Sequence, residues 1–359
     1  MAVAAELRAS GAEVTFLGTR ERIEAELVPA AGYEIDFLRV RGIDRRNPLR
    51  AALAAVEAVG AVGAAARAIR RRGADVVLGG GGFVAGPAGM AAVLLRVPLV
   101  LSEADSHLGL ANRLLAGRAR RVCLSFPIAG REGGRYLLTG RPVPDAVLEA
   151  DRAAARERFG VPAGARCLLV MGGSQGARSI NLAAIEAFAE NGERDFHVVQ
   201  LAGRRDFEEL EDRLAGAPHR DAYTLLAYEP DLGDVLAASD LVLARSGGSI
   251  FEIAAAGRPA ILVPYPHATA DHQSANAKWM AGAGAAEVVA DDELSVELLA
   301  RRVGELLADA AGLAAMGEAA AAIAMPDAAK RIAGEVMAAA SPASGAPYAP
   351  VQSKRRTGT

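Results

Sequence analysis

Three glycine-rich turns, each following a short apolar run, are the stretches of this chain best suited to chemistry. They read "GGGGFVAGPAG" over residues 79–89, "MGGSQGARSIN" over 171–181 and "RSGGSIFEIAAAG" over 245–257. Glycines let a backbone approach a ligand closely and present its N–H groups, and a helix start beyond the turn favours an anion. In the second turn Ser174 adds a hydroxyl donor suited to a diphosphate; the alternative is a tight turn with no ligand. None of the three is a phosphate-binding loop with a GK[ST] ending. None reads GxGxxG, which counts against a dinucleotide and hence against a dehydrogenase. In the third turn Glu252 falls on the first turns of a helix. A carboxylate there can accept two ribose hydroxyls, or can simply complement the helix dipole.

A fourth stretch, "VPYPHATADHQSANAKW" over residues 263–279, gathers His267, Asp271, His272, Gln273 and Asn276. Amide and imidazole groups at a strand end suit hydrogen bonds to a sugar. The same residues would also make an ordinary capped helix start, and their spacing matches no zinc template well.

Parallel sheets are what would position such turns. Short continuous apolar runs alternate with helical patterns along nearly the whole chain: "DVVLGG", "PLVLSE" and "RVCLSF", then "CLLVMGG", "FHVVQLAG", "YTLLAY", "DLVLARSG" and "AILVPYP". Strands without polar alternation are buried on both faces, so the pattern predicts α/β units with helices on either side. The turns then lie at the carboxyl ends of strands, where such sheets bind ligands. A proline-rich stretch with a charged helical segment separates the two series and places a boundary near residues 140–144. Two Rossmann-like domains facing each other across a cleft are expected.

The bulk numbers agree. The chain has 359 residues, 52% hydrophobic and 23% charged, enough for two packed cores. A net charge of -3 argues against a general nucleic-acid binder but leaves room for a local basic patch. Cys123 and Cys167 form no CxxC pair and read as buried small hydrophobes, fitting a reducing compartment. No signal peptide or membrane span is evident. The segment 47–73 is a long Ala-rich helical pattern flanked by Arg45, Arg46 and Arg50 at one end and Arg70, Arg71 and Arg72 at the other. Such arginines suit an anionic lipid surface, or complement the dipole of a core helix. Residues 341–359 are rich in Pro, Ser and Gly and read as a disordered tail.

Taken together, "GGFVAGPAG", "GLANRLLA", "GGSQGARSIN", "RSGGSIFEIAAAGRPAILVPYPHATADHQSANA" and the early "LGTRERIEAELVPAAG" resemble the MurG family. They occur in that family's order and span about residues 1–340. The resemblance implies a GT-B fold and inverting transfer of GlcNAc from UDP-GlcNAc to the 4-hydroxyl of MurNAc in lipid I, giving lipid II for peptidoglycan. It implies no metal or other cofactor, no nucleic acid, and a peripheral place on the cytoplasmic face of the bacterial cell membrane, on its anionic inner leaflet. Residues 1–142, with a C-terminal helix at 325–340, would form the acceptor and membrane domain, and 143–324 the UDP-GlcNAc domain.

Carried over residue by residue, Gly172, Gly173, Ser174, Gln175 and Gly176 match the loop over the donor diphosphate. Arg245, Ser246, Gly247 and Gly248 match the next loop at the nucleotide. Glu252 matches the ribose acid, His272 and Gln273 the pair near the GlcNAc hydroxyls, and Asn112 a further substrate contact. The backbone of residues 228–230 matches the uracil site. Departures accompany the match. The family's "HEQN" is "SEAD" here, which leaves Glu103, Asp105 and His107 as the candidates for catalysis, or as helix-capping residues. The loop at 245–248 is one residue shorter than the commonest form. The matching stretch begins within the family's first helix, so the resemblance predicts a strand and a "GGTGGH" loop upstream of Met1. A chain starting at Met1 is expected to bind UDP-GlcNAc and to transfer poorly. A UDP-sugar transferase with another acceptor and a non-catalytic UDP-GlcNAc-binding protein are the other readings.

Overall fold

The computed structural model describes residues 1–40, 48–172, 177–191, 194–268 and 271–341; the side chains of residues 48–56 and of Ala58 are outside this description. The expected tail therefore lies outside the described residues, apart from Ser341. Contacts divide the chain into two compact units. One comprises Met1–Ser10, Glu103–Leu108 and Cys123–Ile332; the other comprises Gly11–Ser102, Gly109–Val122 and the chain from Ala333.

Twelve strands are found among the described residues. β1 (Thr15–Gly18) and β2 (Glu34–Phe37) form a parallel pair. β3 (Val77–Gly79), β4 (Leu99–Glu103), β5 (Arg121–Leu124) and β6 (Tyr136–Leu138) form a four-stranded sheet in that order. β7 (Arg166–Met171), β8 (Phe196–Leu201), β9 (Tyr223–Leu226), β10 (Leu241–Ala244), β11 (Ala260–Leu262) and β12 (Ala286–Val288) form the third sheet. Its order is β12-β11-β10-β7-β8-β9, and every neighbouring pair is parallel.

The third sheet shows why its strands carry no polar alternation. Side chains along a strand point alternately to opposite faces. Cys167, Leu169 and Met171 enter one core together with Val242, Ala244 and Leu262. Leu168 and Val170 enter the opposite core together with Leu241, Leu243 and Ile261. Both faces are thus covered by helices, and a polar residue on either face would need a buried partner. The expected α/β architecture holds, and both cysteines are free and buried. Burial, reinforced by Asp240, pushes the Cys167 thiol up to about 12, so it stays an inert thiol.

In the other unit the helix Pro48–Arg72 buries Ala61, Ala65, Ala68 and Ile69, one stripe at helical spacing. Its basic end is not left for lipid alone. Arg71 pairs with Asp36 at 2.7 Å; Arg72 pairs with Asp36 at 3.0 Å and also with Glu34. Hydrogen bonding and charge from Arg72 hold the Asp36 carboxyl below its ordinary value. Two of the three arginines at this end therefore tie the helix to β2. Arg45 and Arg46 lie outside the described residues, as does the side chain of Arg50.

One buried histidine makes stability depend on pH. His197 on β8 brings Nε2 within 2.8 Å of Thr224 Oγ1. The Thr224 hydroxyl donates to Phe159 O at 2.8 Å, so its oxygen must accept the Nε2 proton. Nδ1 is buried without a partner, and a proton there would be a buried unpaired donor. Burial first, then Arg194 and Arg156, lower the His197 pKa from 6.5 to about 4. The unfolded chain binds this proton near pH 6.5 and the folded chain only near 4. The stabilisation is complete above pH 6.5 and is lost as pH falls through that window, by about 2 kcal/mol at pH 5. Urea unfolding at pH 7 and pH 5 should show this loss in the native chain. His197→Gln, which keeps a donor toward Thr224, should remove most of the difference.

Candidate functional site

The order of the third sheet creates one position where neighbouring strands lead their connections in opposite directions, between β7 and β10. Helices leaving to opposite faces open a crevice at the carboxyl ends of those strands. The register makes the ends level: Met171 lies beside Ala244, and Ala244 beside Leu262. The turns beginning at Gly172, Arg245 and Val263 therefore start side by side. These are three of the four stretches singled out by residue type. Gly172 is described; Gly173, Ser174, Gln175 and Gly176 lie outside the described residues.

The turn after β10 is fixed by its first residue. Arg245 is buried and donates to Val263 O at 3.1 Å, Pro264 O at 3.3 Å and Ser179 Oγ at 2.8 Å. It also pairs with Asp291 at 2.5 Å, and Ser179 donates to the same carboxylate at 2.8 Å. One guanidinium thus joins the end of β10, the end of β11, the helix Arg178–Ile185 and the segment beyond β12. The structure turns this expected nucleotide contact inward as a brace.

The next residues carry the connection to the helix His272–Gly282. The buried Ser246 hydroxyl donates to Gln273 O at 2.8 Å, and Asn276 Nδ2 donates to Ser246 O at 2.9 Å. Gln273 Oε1 accepts from the Tyr265 N–H at 2.9 Å. Its Nε2 lies 4.0 Å from where a side chain on Gly247 would begin. Ser246, Gly247 and Gln273 are therefore brought together, and His272 stands half-buried at the start of the same helix. His267 stacks edge-on against Tyr265.

Glu252 lies in the first turn of the helix Ile250–Ala255, half-buried. Burial raises its pKa, and the charge of Arg141 works against that rise. The helix is anchored by Phe251, which packs with Phe126 at 4.7 Å and with Trp279 at 5.3 Å between ring centroids. Arg141 was hidden in sequence by the proline-rich "LTGRPVP", which reads as a boundary. Asn276, Ser179 and Asp291 were equally illegible as a set, because only the fold makes them neighbours.

The backbone expected at the uracil follows β9, on the same edge of the sheet as the other turns. Tyr228 is exposed there, with the Arg204 guanidinium 5.6 Å from its ring centre. Glu229 is buried and pairs with Arg158 at 2.6 Å.

The three candidates for catalysis and Asn112 fall on two elements. Glu103 closes β4, is buried, and accepts the Asp105 N–H at 3.2 Å. That bond shapes the turn after the strand. Asp105 and His107 are exposed. Asn112, buried on the helix Leu110–Leu115, donates to Ser102 O at 3.1 Å and so ties that helix to β4.

Comparison with known proteins gives the family of this chain. The model of the glycosyltransferase family 28 N-terminal domain matches residues 1–124, and that of the family 28 C-terminal domain matches residues 167–332. A protein of Moorella thermoacetica is 40% identical over 331 residues, covering 90% of this chain and 89% of its own. One of Halorhodospira halophila is 40% identical over 334 residues, covering 93% and 92%. Both are named UDP-N-acetylglucosamine--N-acetylmuramyl-(pentapeptide) pyrophosphoryl-undecaprenol N-acetylglucosamine transferase. The chain belongs to the MurG family. The crystal structure of Acinetobacter baumannii MurG aligns with a TM-score of 0.76 at 27% identity, covering 94% of each chain. The two-domain α/β GT-B fold expected from the sequence is the fold of this MurG-family chain.

Breaking the brace should loosen the site before it touches any ligand. Arg245→Met leaves two strand-end carbonyls without their donor and the Asp291 carboxylate with Ser179 alone. Thermal or urea unfolding should show a loss of about 2 kcal/mol, the cost of leaving buried carbonyls without their hydrogen bonds. Ser179→Ala, which keeps the ion pair, should cost about 1 kcal/mol.

Proposed function

We infer that this chain transfers GlcNAc from UDP-GlcNAc to the 4-hydroxyl of MurNAc in lipid I, with inversion, giving lipid II and UDP. Membership of the family carries the reaction. The observation that carries its placement is the level set of turns at the β7–β10 switch point, with Glu252 and the Ser246–Gln273–Asn276 network among them. Residues 143–324 serve as the donor domain, and residues 1–142 with the helix 325–340 as the acceptor and membrane domain. Glu252 takes the ribose hydroxyls. His272 and the Gln273 amide read the sugar hydroxyls, and residues 172–176 are those assigned to the diphosphate.

Departure of UDP places negative charge on its β-phosphate, and donors aimed there lower the barrier. The attacking hydroxyl needs a proton acceptor. Of the three carboxylate and imidazole candidates after β4, Glu103 is engaged in shaping the turn, which leaves Asp105 and His107 as the exposed ones. Related transferases with another acceptor would share the donor half of this description, so the acceptor is the feature to test.

Attachment to the membrane is peripheral in this reading. Among the described residues no single helix is long and apolar enough to cross a bilayer. The surface proposed to meet lipid lies on the helices Gly82–Leu95 and Leu110–Leu115. Met90 and Leu94, one turn apart, are 38% and 67% exposed; Leu110 and Leu114, also one turn apart, are 40% and 62% exposed. Arg96, Arg113 and Arg118 are exposed in the same unit. Apolar side chains beside cations suit an anionic leaflet.

With lipid I in anionic vesicles and radiolabelled UDP-GlcNAc, label should enter the lipid fraction with stoichiometric release of UDP. Turnover of UDP-GlcNAc without labelled lipid would overturn the acceptor assignment. In the same assay, L94E/L114E should lose flotation with the vesicles while still binding UDP. Unchanged flotation would move the membrane surface elsewhere.

A further inference from the structure

Arg141 stands apart from the other half-buried arginines of its unit. Arg152 donates to Ala237 O and Ser239 O at 2.7 Å each and reaches Asp240 at 2.8 Å. Arg156 donates to Ala238 O and Pro162 O at 3.1 Å each. Arg194 donates to Phe196 O at 2.7 Å and His219 O at 3.0 Å. Each uses its guanidinium to hold backbone carbonyls. Arg141 makes no hydrogen bond and no ion pair among the described residues. Its neighbours are a ring, a bare glycine and a carboxylate beyond salt-bridge reach.

These neighbours place the guanidinium at the turn after β10. A side chain beginning on Gly248 would lie 2.9 Å from Arg141 Nη2 and 3.0 Å from both Nη1 and Cζ. The arginine therefore rests on the backbone of Gly248, and a side chain there would push the guanidinium aside. Its Cζ is 6.0 Å from the centre of the Phe251 ring, and that ring is fixed by Phe126 and Trp279. The chain reaches this point through Gly140, which has φ +81° and packs against Met325 so closely that a Cβ would fall 2.4 Å from the methionine's own. Thr139, buried just before it, takes its N–H to Leu124 O at 3.0 Å. The backbone that carries Arg141 is thus held on both sides, while its five N–H donors are left for something else.

A guanidinium offers paired donors in a plane, the arrangement that matches two oxygens of a phosphate. It lies over the turn that opens at the switch point and on the same side as Glu252. We propose that Arg141 binds the diphosphate of the nucleotide donor and, when UDP leaves, holds the charge that develops on it. This rests on the UDP-sugar reading above. Gly248 is the counterpart of the arrangement, since its missing side chain lets the guanidinium lie against the turn. The same charge favours the ionised form of Glu252, which burial opposes, so one cation serves both ends of the nucleotide.

Calorimetric titrations of the full chain with UDP and with uridine separate these roles. Arg141→Ala should weaken UDP by at least about tenfold, the scale of a lost charge-assisted contact, and weaken uridine far less, since uridine loses only the support that the charge gives Glu252. Arg141→Lys should recover part of the UDP affinity, since it keeps a charge but loses the paired donors. Gly248→Ala, which displaces the guanidinium without removing it, should also weaken UDP more than uridine. In the transfer assay Arg141→Ala should lower kcat as well as raise KM for UDP-GlcNAc. Equal losses for UDP and uridine, or unchanged UDP affinity, would overturn the proposal. If UDP binds the native chain and Glu252→Gln weakens it while Arg141→Ala does not, only the Arg141 proposal falls. If the native chain binds neither ligand, the donor reading falls and takes the proposal with it.

Discussion

Three strand ends must stay level for this site to exist. Met171, Ala244 and Leu262 are held in register by parallel ladders, and the two faces of those strands are buried in separate cores. A slip of one residue in any of the three would exchange its faces and move its turn along the strand. The burial that makes the strands uniformly apolar is therefore also what fixes the turns. Arg245 adds a polar lock to this apolar one by holding the ends of β10 and β11 from inside. The groups proposed to meet a ligand, Glu252, the Gln273 amide and Arg141, stand on that frame.

Much of this was legible in the residues. Continuous apolar runs named the strands, and glycines at their ends named the turns. The resemblance to a family named the reaction. What sequence could not show was the direction in which each side chain turns. Arg245 and Ser246 sit in a glycine turn that reads as ligand-facing, yet both point into the protein, because the strand ends they close leave carbonyls that need donors. Arg141 is the converse case. Its proline-rich surroundings read as a connector, and only the fold brings it against Gly248. The arginines at 70–72 read equally well as a lipid-facing cluster or a dipole complement; two of them pair with acids on β2, more than thirty residues away. Partners at that separation leave no local pattern.

Charge around Glu252 is arranged as a compromise. Glu252 is buried enough for its proton to be held more firmly than in water, which works against the proposed acceptance of ribose hydroxyls by a carboxylate. A cation close by, but beyond ion-pairing distance, offsets this without neutralising the acid. Direct pairing would occupy both groups and leave neither for a ligand. His197 shows the opposite solution farther along the same sheet: an imidazole kept neutral by burial and a single hydroxyl partner, where no ligand is called for.

The central claim is that the carboxyl ends of β7, β10 and β11 together bind the nucleotide sugar. Hydrogen exchange followed by mass spectrometry, with and without UDP-GlcNAc, tests it most directly. The account predicts added protection in peptides spanning residues 244–256 and 260–268, and in the helix His272–Gly282. The amino ends of β7 and β8, near Arg166 and Arg194, should be unchanged. Protection confined to those amino ends, or to segments of the other unit, would contradict it.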